Sequence, residues 1–385
     1  MSQITNAPLG KVASINPALI IAPEITGALV DFLPMSALDA DKTIVFAKES
    51  RLYSDVQKGY TSFANGDVLL AKITPCFENG KIAQASIASS CGFGSTEFHV
   101  LRPKEGLLDA RYLVHFLRRD EVRVDGTRKM TGSGGQRRVP KHYLESLEIP
   151  LPPLPEQRRI AAILDQADAL RAKRREALAQ LDKLAQAIFV EMFGRDSSNK
   201  MNMPMQPLKS LGKVVTGRTP SSAKTGMFNG TVPFITPGDL ESHLPVKRTV
   251  TEAGAQDVGT VRKGAALVCC IGSVGKMGMA SERSAFNQQI NAVEWYETID
   301  DIFGLYALAT LKNELASSAA STTVPILNKS AFEKFALPVP PMNLQREFSE
   351  RITAIDSMRR HHERSAFETE ELFTALQSRA FRGEL

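Results

Sequence analysis

A proline-rich phrase that occurs twice in the chain constrains the fold more than any other feature of the sequence. Residues 149–160 read IPLPPLPEQRRI and residues 337–348 read LPVPPMNLQREF. Gln157 of the first copy corresponds to Gln345 of the second, and the prolines and the following arginine keep the same offset (345 − 157 = 188). A phrase this specific is not expected to recur at one spacing by chance. The sequence therefore predicts two copies of one structural unit.

A long segment without glycine or proline follows each copy of the phrase. These segments cover 156–193 and 344–381, and Gly194 and Gly383 come shortly after them, where glycine commonly ends a helix. Asn343 precedes the second segment as a candidate N-cap. Each segment is predicted to be one helix of about 38 residues, which spans roughly 57 Å at 1.5 Å per residue.

Apolar residues recur in both segments at alternating spacings of four and three, the pattern of a coiled-coil seam. Polar residues interrupt the seam at the same central places, Arg171 and Arg174 in the first copy and Arg359 and His362 in the second. Matching interruptions favour an antiparallel pair in which the polar positions meet each other. The alternative is two surface helices, each packed on its own domain. The predicted pairing residues are Ile160, Leu164, Leu178, Leu181, Ile188, Phe348, Ile352, Ile355, Phe373 and Leu376.

Fainter similarities upstream of each phrase predict that both units contain a mixed α/β domain. The matching segments are 9–12 with 211–214, 65–70 with 263–268, 80–81 with 275–276, and 98–101 with 290–293. The fold class is therefore predicted to be α+β, with two similar domains that an antiparallel helix pair would separate. The predicted boundaries are 1–150 for the first domain, 151–194 for its helix, 195–338 for the second domain with a linker at 195–205, and 339–385 for the C-terminal helix.

Composition argues against a membrane protein and against a disulfide scaffold. The 43% hydrophobic and 23% charged residues are typical of a soluble globular protein, and no signal-peptide pattern is present, so a cytoplasmic location is expected. The four cysteines form no CxxC pair and the six histidines have no ligand spacing, so no metal site is predicted. Cys269 and Cys270 lie in an apolar run and are predicted to be buried thiols.

Basic residues are concentrated between Arg118 and Lys141. This stretch contains eight basic and three acidic residues, an excess that equals the net charge of +5 for the whole chain. Such a concentration indicates a polyanionic partner. The glycine-rich segment 132–138, GSGGQRR, would suit contact with a phosphate backbone. The alternative is a solvated loop and helix face.

Taken together, these segments resemble the specificity subunit of type I restriction-modification systems. The resemblance covers nearly the whole chain in the order of the family. Besides the two proline phrases and their helices, it is carried by FANGDVLLAKITPCFENGKIA (63–83), GFGSTEFHVLRP (92–103), SGGQRRVPKHYLESLEIPLPP (133–153), LGKVVTGRTPSS (211–222), VPFITPGDLE (232–241), CIGSVGKMG (270–278) and NQQINAV (287–293).

The resemblance implies a DNA-binding subunit of the prokaryotic cytoplasm with no catalysis of its own. Two target-recognition domains would each read half of an asymmetric, interrupted site in double-stranded DNA. The paired helices would set the spacing and dock two methyltransferase subunits, and restriction (translocase-nuclease) subunits would complete the complex. S-adenosylmethionine, ATP and Mg would belong to those partners, and this chain would bind no cofactor. The alternative is a subunit of a methylation-only system that lacks an active nuclease partner.

Two other function classes stay open. An enzyme acting on DNA alone would need catalytic motifs, and the sequence has no Asn/Asp-Pro-Pro-aromatic motif to hold a flipped adenine. Residues 212–219 have phosphate-loop spacing, but Arg218 stands where the loop needs a lysine. A coiled-coil scaffold with domains that do not read sequence would bind all duplexes equally.

Direct readout needs loop side chains with paired donors and acceptors, and phosphate anchors beside them. Gln288, Gln289 and Asn291 could read adenine, or could lie within a network between strands. The candidate DNA-binding residues are Lys72, Thr74, Lys81, Arg137 and Arg138 in the first domain, and Arg218, Thr219, Lys224, Ser273 and Lys276 in the second.

Overall fold

The chain forms two compact units, which share the two long helices. The computed structural model describes residues 5–19, 25, 27–133, 135–194, 203–221, 223–241, 245–319 and 324–385. Unit 1 comprises Met1–Glu176 and Glu363–Leu385, and unit 2 comprises Ala177–His362. Each unit therefore holds one mixed domain, the first half of the helix that follows it and the second half of the other helix. Most of the predicted linker, 195–202, lies outside the described residues.

Unit 1 contains two sheets and a separate strand pair. Its strands are β1 (Asn6–Pro8), β2 (Ala13–Ile15), β3 (Leu29–Leu33), β4 (Ile44–Phe46), β5 (Glu49–Leu52), β6 (Thr61–Phe63), β7 (Val68–Ala71), β8 (Ile82–Ser86), β9 (Gly92–Gly94), β10 (Phe98–Pro103) and β11 (Glu148–Pro150). The sheet orders are β2-β10-β7-β8-β4 and β5-β3-β9-β6, and β1 pairs with β11. Its helices are α1 (Leu9–Val12), α2 (Tyr53–Val56), α3 (Ala110–Leu117), α4 (Asp120–Lys129), α5 (Lys141–Ser146) and the start of α6 (Leu154–Phe193).

Unit 2 repeats this plan with fewer strands among its described residues. Its strands are β12 (Met205–Pro207), β13 (Gly212–Thr216), β14 (Phe228–Ile235), β15 (Thr249–Val250), β16 (Ala266–Cys269), β17 (Met277–Met279), β18 (Ala285–Phe286), β19 (Ile290–Trp295) and β20 (Ala336–Pro338). The sheet orders are β13-β19-β16-β17 and β15-β14-β18, and β12 pairs with β20. Its helices are α7 (Leu208–Leu211), α8 (Glu252–Val258), α9 (Asp301–Thr310), α10 (Lys312–Ser317), α11 (Lys329–Phe332) and the start of α12 (Met342–Arg382).

The strand pairings confirm three of the four similarities predicted upstream of the proline phrases. β10 pairs antiparallel with β7 and β2, as β19 does with β16 and β13. Gly66 and Gly264 precede β7 and β16 with φ of 86° and 88°, a backbone conformation that favours glycine. Gly80 and Gly275 hold the equivalent turns before β8 and β17, with φ of 71° and 91°.

The fourth similarity, between 9–12 and 211–214, is wrong by three residues. The N–H of Leu9, at the start of α1, donates to the carbonyl of Leu147 at 2.8 Å. The N–H of Leu208, at the start of α7, donates in the same way to Phe335 at 2.8 Å. Leu208 is therefore the counterpart of Leu9. The equivalent backbone hydrogen bonds define the correspondence between the units, and the repeated tetrapeptide LGKV is out of register with them.

A buried glutamine in the first proline phrase ties α6 to the domain before it. The Oε1 of Gln157 accepts a hydrogen bond from the N–H of Asp109 at 2.9 Å. Its Nε2 donates to the carbonyls of Leu107 at 2.9 Å and Pro152 at 2.8 Å. Asp109 caps the N-terminus of α3 through its side chain, so Gln157 connects the start of α6 to the start of α3.

The glutamine of the second phrase makes the equivalent three bonds in unit 2. Gln345 accepts from the N–H of Asp300 at 2.8 Å and donates to the carbonyls of Thr298 at 3.1 Å and Pro340 at 2.8 Å. Asp300 caps α9 as Asp109 caps α3. The repeated glutamine is thus explained by the fold, since it satisfies three backbone groups where each long helix begins.

Both long helices begin two residues before their predicted starts and continue to the predicted glycines. Gly194 and Gly383 follow them with φ of 94° and 75°. Asn343 lies inside the first turn of α12, so it is not the N-cap that the sequence predicts. All ten predicted pairing residues are buried or half-buried. Among the described residues, no helix is long and apolar enough to cross a membrane.

The two long helices pack against each other in antiparallel fashion within each unit, as the fold prediction states. In unit 1, Arg171 of α6 donates two hydrogen bonds to Glu370 of α12, at 2.8 and 2.6 Å. In unit 2, Arg359 of α12 donates to Asp182 of α6 at 2.6 Å. The two ion pairs are equivalent under the repeat, because both of their members are offset by 188 residues (359 − 171 = 370 − 182 = 188).

The expectation that the polar seam positions meet each other is therefore corrected for Arg171 and Arg359. Arg171 and Arg359 each meet an acid at the flank of the facing helix, and each also donates to an aspartate one turn earlier in its own helix, at 2.6 Å for Arg171 and 3.1 Å for Arg359. An acid neutralises a half-buried guanidinium, whereas a second arginine would repel it.

Candidate nucleic-acid interface

The end of β7 gathers most of the candidate residues of unit 1. The N–H of Thr74 donates to the carbonyl of Arg137 at 2.9 Å, and the N–H of Val139 donates to the carbonyl of Lys72 at 2.8 Å. The carbonyl of Lys81 accepts from Ala71, the last residue of β7, at 3.0 Å. Backbone pairing thus brings the loop after β7 and the glycine-rich loop of 132–138 to one edge of the sheet. Residue 134 of the second loop lies outside the described residues.

Arg138 and Glu97 form an ion pair at this edge, which we call the β7 edge. The guanidinium Nε and Nη2 donate to the two carboxylate oxygens at 2.9 and 2.7 Å. The side chains are 41% and 23% exposed. These hydrogen bonds from Arg138 lower the pKa of the Glu97 carboxyl, which is therefore ionised at neutral pH. Sequence reasoning missed Glu97, because an isolated acid beside a predicted basic surface carries no recognisable pattern.

A second carboxylate at the β7 edge, that of Glu78, interacts with both Thr74 and Arg137. The Thr74 hydroxyl donates to Glu78 Oε1 at 3.0 Å, and Arg137 Nη2 lies 3.8 Å from the same oxygen. Arg137 is 45% exposed, and the longer separation makes this a loose ion pair. Arg137 is therefore much freer to contact an incoming phosphate than Arg138 is.

The buried side chain of His99 stabilises the backbone at the β7 edge. His99, on β10, makes a hydrogen bond from Nε2 to the carbonyl of Val139 at 2.8 Å. Burial lowers the pKa of His99, so the imidazole is neutral and its Nε2 carries the proton that is donated. Its Nδ1 then accepts from the side chain of Asn16 at 3.0 Å. These bonds hold the backbone after Arg138 against the sheet.

The equivalent edge in unit 2 lies at the end of β16. The N–H of Leu327 donates to the carbonyl of Cys270 at 2.8 Å, as Val139 does to Lys72 in unit 1. Ser273 is exposed and Lys276 is half-buried in the turn before β17. Cys269 and Cys270 are buried free thiols, as predicted, and burial raises the pKa of Cys270 to about 12.

A polar segment at 287–289 joins the remaining candidates of unit 2. The Thr219 hydroxyl donates to Gln288 Oε1 at 2.6 Å, and the side chain of Gln289 donates to the carbonyl of Ile271 at 3.4 Å. Asn291 is buried and accepts from the Thr216 hydroxyl at 2.7 Å, so it belongs to the network between strands.

The two other basic candidates of unit 2 differ in their surroundings. Lys224 forms an ion pair with Asp257 at 2.5 Å. Arg218 is exposed, and among the described residues its guanidinium has no hydrogen-bond or ion-pair partner. The phosphate-loop spacing at 212–219 falls mostly on the extended strand β13, which offers no cradle for a phosphate.

Much of the predicted basic stretch is neutralised within unit 1. The Arg118 guanidinium is 14% exposed and bonds to Asp168 at 3.3 Å. Arg119 pairs with Glu121, and Arg123 pairs with Asp120. The local excess of charge is therefore not one open surface, and the exposed cations of the β7 edge are the better candidates for contact with a polyanion.

Comparison with known proteins identifies the family that this architecture represents. The model of the type I restriction modification DNA specificity domain matches residues 36–180 and again 202–366. The chain is 40% identical to the EcoAI specificity subunit of Escherichia coli and 38% identical to the EcoEI specificity subunit of the same organism, in each case over 153 residues. Each match covers 40% of this chain but only 26% and 25% of those relatives.

Longer matches cover most of the chain at lower identity. A putative type I specificity subunit, MjaX of Methanocaldococcus jannaschii, is 23% identical over 312 residues, which cover 76% of this chain and 72% of that protein. The crystal structure of a type I S subunit from M. genitalium is similar in fold, with a TM-score of 0.61 at 16% identity, over 99% of this chain and 97% of that one. A chain from a type I restriction-modification assembly gives 0.56 at 21% identity, over 99% and 98%.

Proposed function

Because the chain belongs to the family of type I restriction-modification DNA specificity domains, we propose that it is the sequence-specific DNA-binding subunit of such a complex. Each mixed domain reads one half of a bipartite, asymmetric site in double-stranded DNA. The observation that supports this best is the double family match, since both copies keep one framework while their equivalent loops carry different side chains. The subunit performs no catalysis itself, and it acts in the prokaryotic cytoplasm.

The paired helices are proposed to set the distance between the two half-sites. The ion pairs of Arg171 with Glu370 and of Arg359 with Asp182 each favour one register of the helix pair. Polar contacts beside a coiled-coil seam specify register because a shift would leave the charges unpaired. A fixed register gives a fixed spacer length, as a reader of two separated half-sites requires.

Repeated apolar residues on the helices form a candidate docking surface for two methyltransferase subunits. Leu184 and Leu372 occupy equivalent positions (372 − 184 = 188) and are 46% and 52% exposed. Leu170 and Met358, also equivalent, are 50% and 54% exposed. Large apolar side chains that are exposed at the same place in both copies add little to either core, and they fit a partner that binds twice.

These side chains occupy corresponding positions on the two helices of each unit. Leu170 and Leu372 both stand immediately before a seam residue, on the two facing helices of unit 1. Leu184 and Met358 hold the same places in unit 2. In an antiparallel pair these flanking positions face each other along one side of the seam, so each unit presents its own apolar pair.

Replacing Leu372 by Glu is expected to remove one of two bound methyltransferase subunits, because a carboxylate would be desolvated in the unit 1 docking surface. Leu184→Glu should remove the other, and the double variant should bind none. Loss of a central apolar contact typically costs about 2 kcal/mol, or roughly 30-fold in affinity. Native mass spectrometry of the co-purified complex measures the stoichiometry directly.

The control for this experiment is Leu29→Glu, since Leu29 is 65% exposed on β3 but has no repeated counterpart in a long helix. It should leave the stoichiometry unchanged. Two bound subunits in both single variants and in the double variant would contradict the proposed docking surface.

The cofactors of the reaction are proposed to reside on the partner subunits. S-adenosylmethionine would bind the methyltransferase subunits, and ATP and Mg would bind the restriction (translocase-nuclease) subunits. Within the described residues, no group of three or more His, Cys, Asp or Glu side chains is arranged to hold a metal ion. A methylation-only system without an active nuclease is the alternative, and it differs in the partner and not in this chain.

Sequencing the methylome of a host that expresses this chain with its methyltransferase tests the proposed function. The expected result is adenine methylation at one asymmetric motif composed of two specific parts and a gap of constant length. Methylation that is independent of this chain, or that shows no sequence preference, would reject the proposal in favour of a scaffold.

A further inference from the structure

The two units place different side chains at one equivalent position of their framework. Arg138 forms an isolated strand bridge with Ile73, just after β7. Ile326 forms the same bridge with Ile271, just after β16. Ile73 and Ile271 are separated by the same offset as β7 and β16, and Arg138 and Ile326 by the offset of the proline phrases (271 − 73 = 198 and 326 − 138 = 188).

The neighbouring positions match as well. The carbonyl of Glu97 accepts from the N–H of Lys72 at 2.9 Å, and the carbonyl of Gln289 accepts from the N–H of Cys270 at 2.7 Å. Unit 1 therefore carries the pair Arg138 and Glu97 where unit 2 carries Ile326 and Gln289. The backbone is the same, and the chemistry that it presents to solvent differs.

The ion pair leaves Arg138 with a particular set of free donors. The guanidinium has five N–H groups. The Nε–H and one Nη2–H donate to Glu97, and one Nη1–H reaches the carbonyl of Gln136 at 3.3 Å. One donor remains on each terminal nitrogen. Two such donors from one arginine are what binds O6 and N7 of guanine in the major groove.

The carboxylate of Glu97 argues against a phosphate contact at this place. A phosphate anchor works by neutralising backbone charge, but Glu97 already neutralises Arg138 at 2.7 Å. A carboxylate on a DNA-facing edge also repels phosphates, so it costs affinity unless it serves specificity. Glu97 can contribute to specificity by holding the guanidinium plane of Arg138 at a fixed angle, because bidentate recognition depends on orientation.

We propose that Arg138 reads a guanine in the half-site of unit 1, that Glu97 is its positioning residue, and that Ile326 contacts a thymine methyl group at the corresponding place in the half-site of unit 2. Ile326 is 44% exposed, and an exposed aliphatic side chain on a reading edge suits the methyl group of thymine. The inference rests on the proposed function, because it assumes that these edges meet DNA.

The test uses the chain in complex with its methyltransferase and a duplex carrying the motif found in the methylome. Binding is measured for that duplex and for a set with single base-pair changes. Arg138→Lys should lose discrimination at one G·C pair of one half-site by roughly 5- to 150-fold, because lysine keeps the charge and loses the fork. Glu97→Gln should relax the same base pair and no other, and Ile326→Ala should relax one T·A pair of the other half-site.

Arg137→Ala is the matched control, since Arg137 is adjacent, exposed and only loosely paired. It should weaken binding to all duplexes alike and reduce the dependence of affinity on salt, while the preferred motif stays the same. If Arg138→Lys and Glu97→Gln leave the discrimination at every base pair unchanged, Arg138 does not read a base and the inference is wrong, because lysine would still serve a contact with phosphate. If the wild-type complex shows no bipartite motif, the proposed function itself fails.

Discussion

Insertion of one heptad into both long helices is expected to lengthen the gap between the two half-sites by about three base pairs, while each half-site keeps its sequence. Seven residues add about 10.5 Å to a helix at 1.5 Å per residue, which corresponds to about three base pairs at 3.4 Å each. The insertions belong between residues 176 and 177 in α6 and between 362 and 363 in α12, where the chain divides into its two units. Methylome sequencing of a host carrying the variant measures the gap.

The control is the same insertion in α6 alone. A single insertion shifts one helix against the other by two turns, so the ion pairs of Arg171 with Glu370 and of Arg359 with Asp182 cannot both form. We expect this variant to lose stability and methylation. An unchanged gap in the double insertion would contradict the proposed role of the helices as spacers.

Replacing Gln157 by Leu is expected to destabilise unit 1 by about 3 kcal/mol, because one backbone N–H and two carbonyls lose their hydrogen-bond partner and unsatisfied buried groups cost about 1–3 kcal/mol each. The groups belong to Asp109, Leu107 and Pro152. Urea unfolding followed by circular dichroism measures the change in the free energy of unfolding. Gln345→Leu should have an effect of similar size in unit 2, since its three bonds are equivalent.

Arg158→Ala is the matched control for the glutamine. Arg158 is repeated as Arg346, but its side chain is 69% exposed and its nearest carboxylate oxygen, on Asp109, is 3.8 Å away. A surface change of this kind should alter stability by less than about 0.5 kcal/mol. Equal effects of Gln157→Leu and Arg158→Ala would show that the buried hydrogen bonds are not what holds the start of α6.

The helix pair could be predicted in detail because its signal is local and repeated. A period of alternating fours and threes, a glycine after the C-terminal end of each segment and an identical offset in two copies all point to the same two helices. The error concerned Arg171 and Arg359 of the seam. Their partners, Glu370 and Asp182, lie one position outside the apolar pattern, where seam analysis does not look.

The structure brings together only some of the candidate DNA-binding residues. Basic and hydroxyl residues of the β7 edge were identified from loop chemistry, and backbone pairing brings Lys72, Thr74, Arg137 and Arg138 together. Lys224 was chosen by the same reasoning, but it is paired with Asp257, and Arg118 of the basic stretch is paired with Asp168, both distant in sequence. A side chain's charge is readable from the sequence, whereas its neutralisation by a partner depends on tertiary contacts.

The sequence by itself determined the duplication, the two long helices and the family, because repeated phrases, heptad spacing and motif order are properties of the linear chain. Only the tertiary structure decided that Gln157 and Gln345 fasten the helices to their domains, and that Arg138 and Glu97 stand where Ile326 and Gln289 stand in the other unit. These contacts join segments whose residue numbers differ by different amounts between the two units, since the loops between the segments differ in length. Backbone hydrogen bonds set that alignment, and they form only when the sheet is assembled.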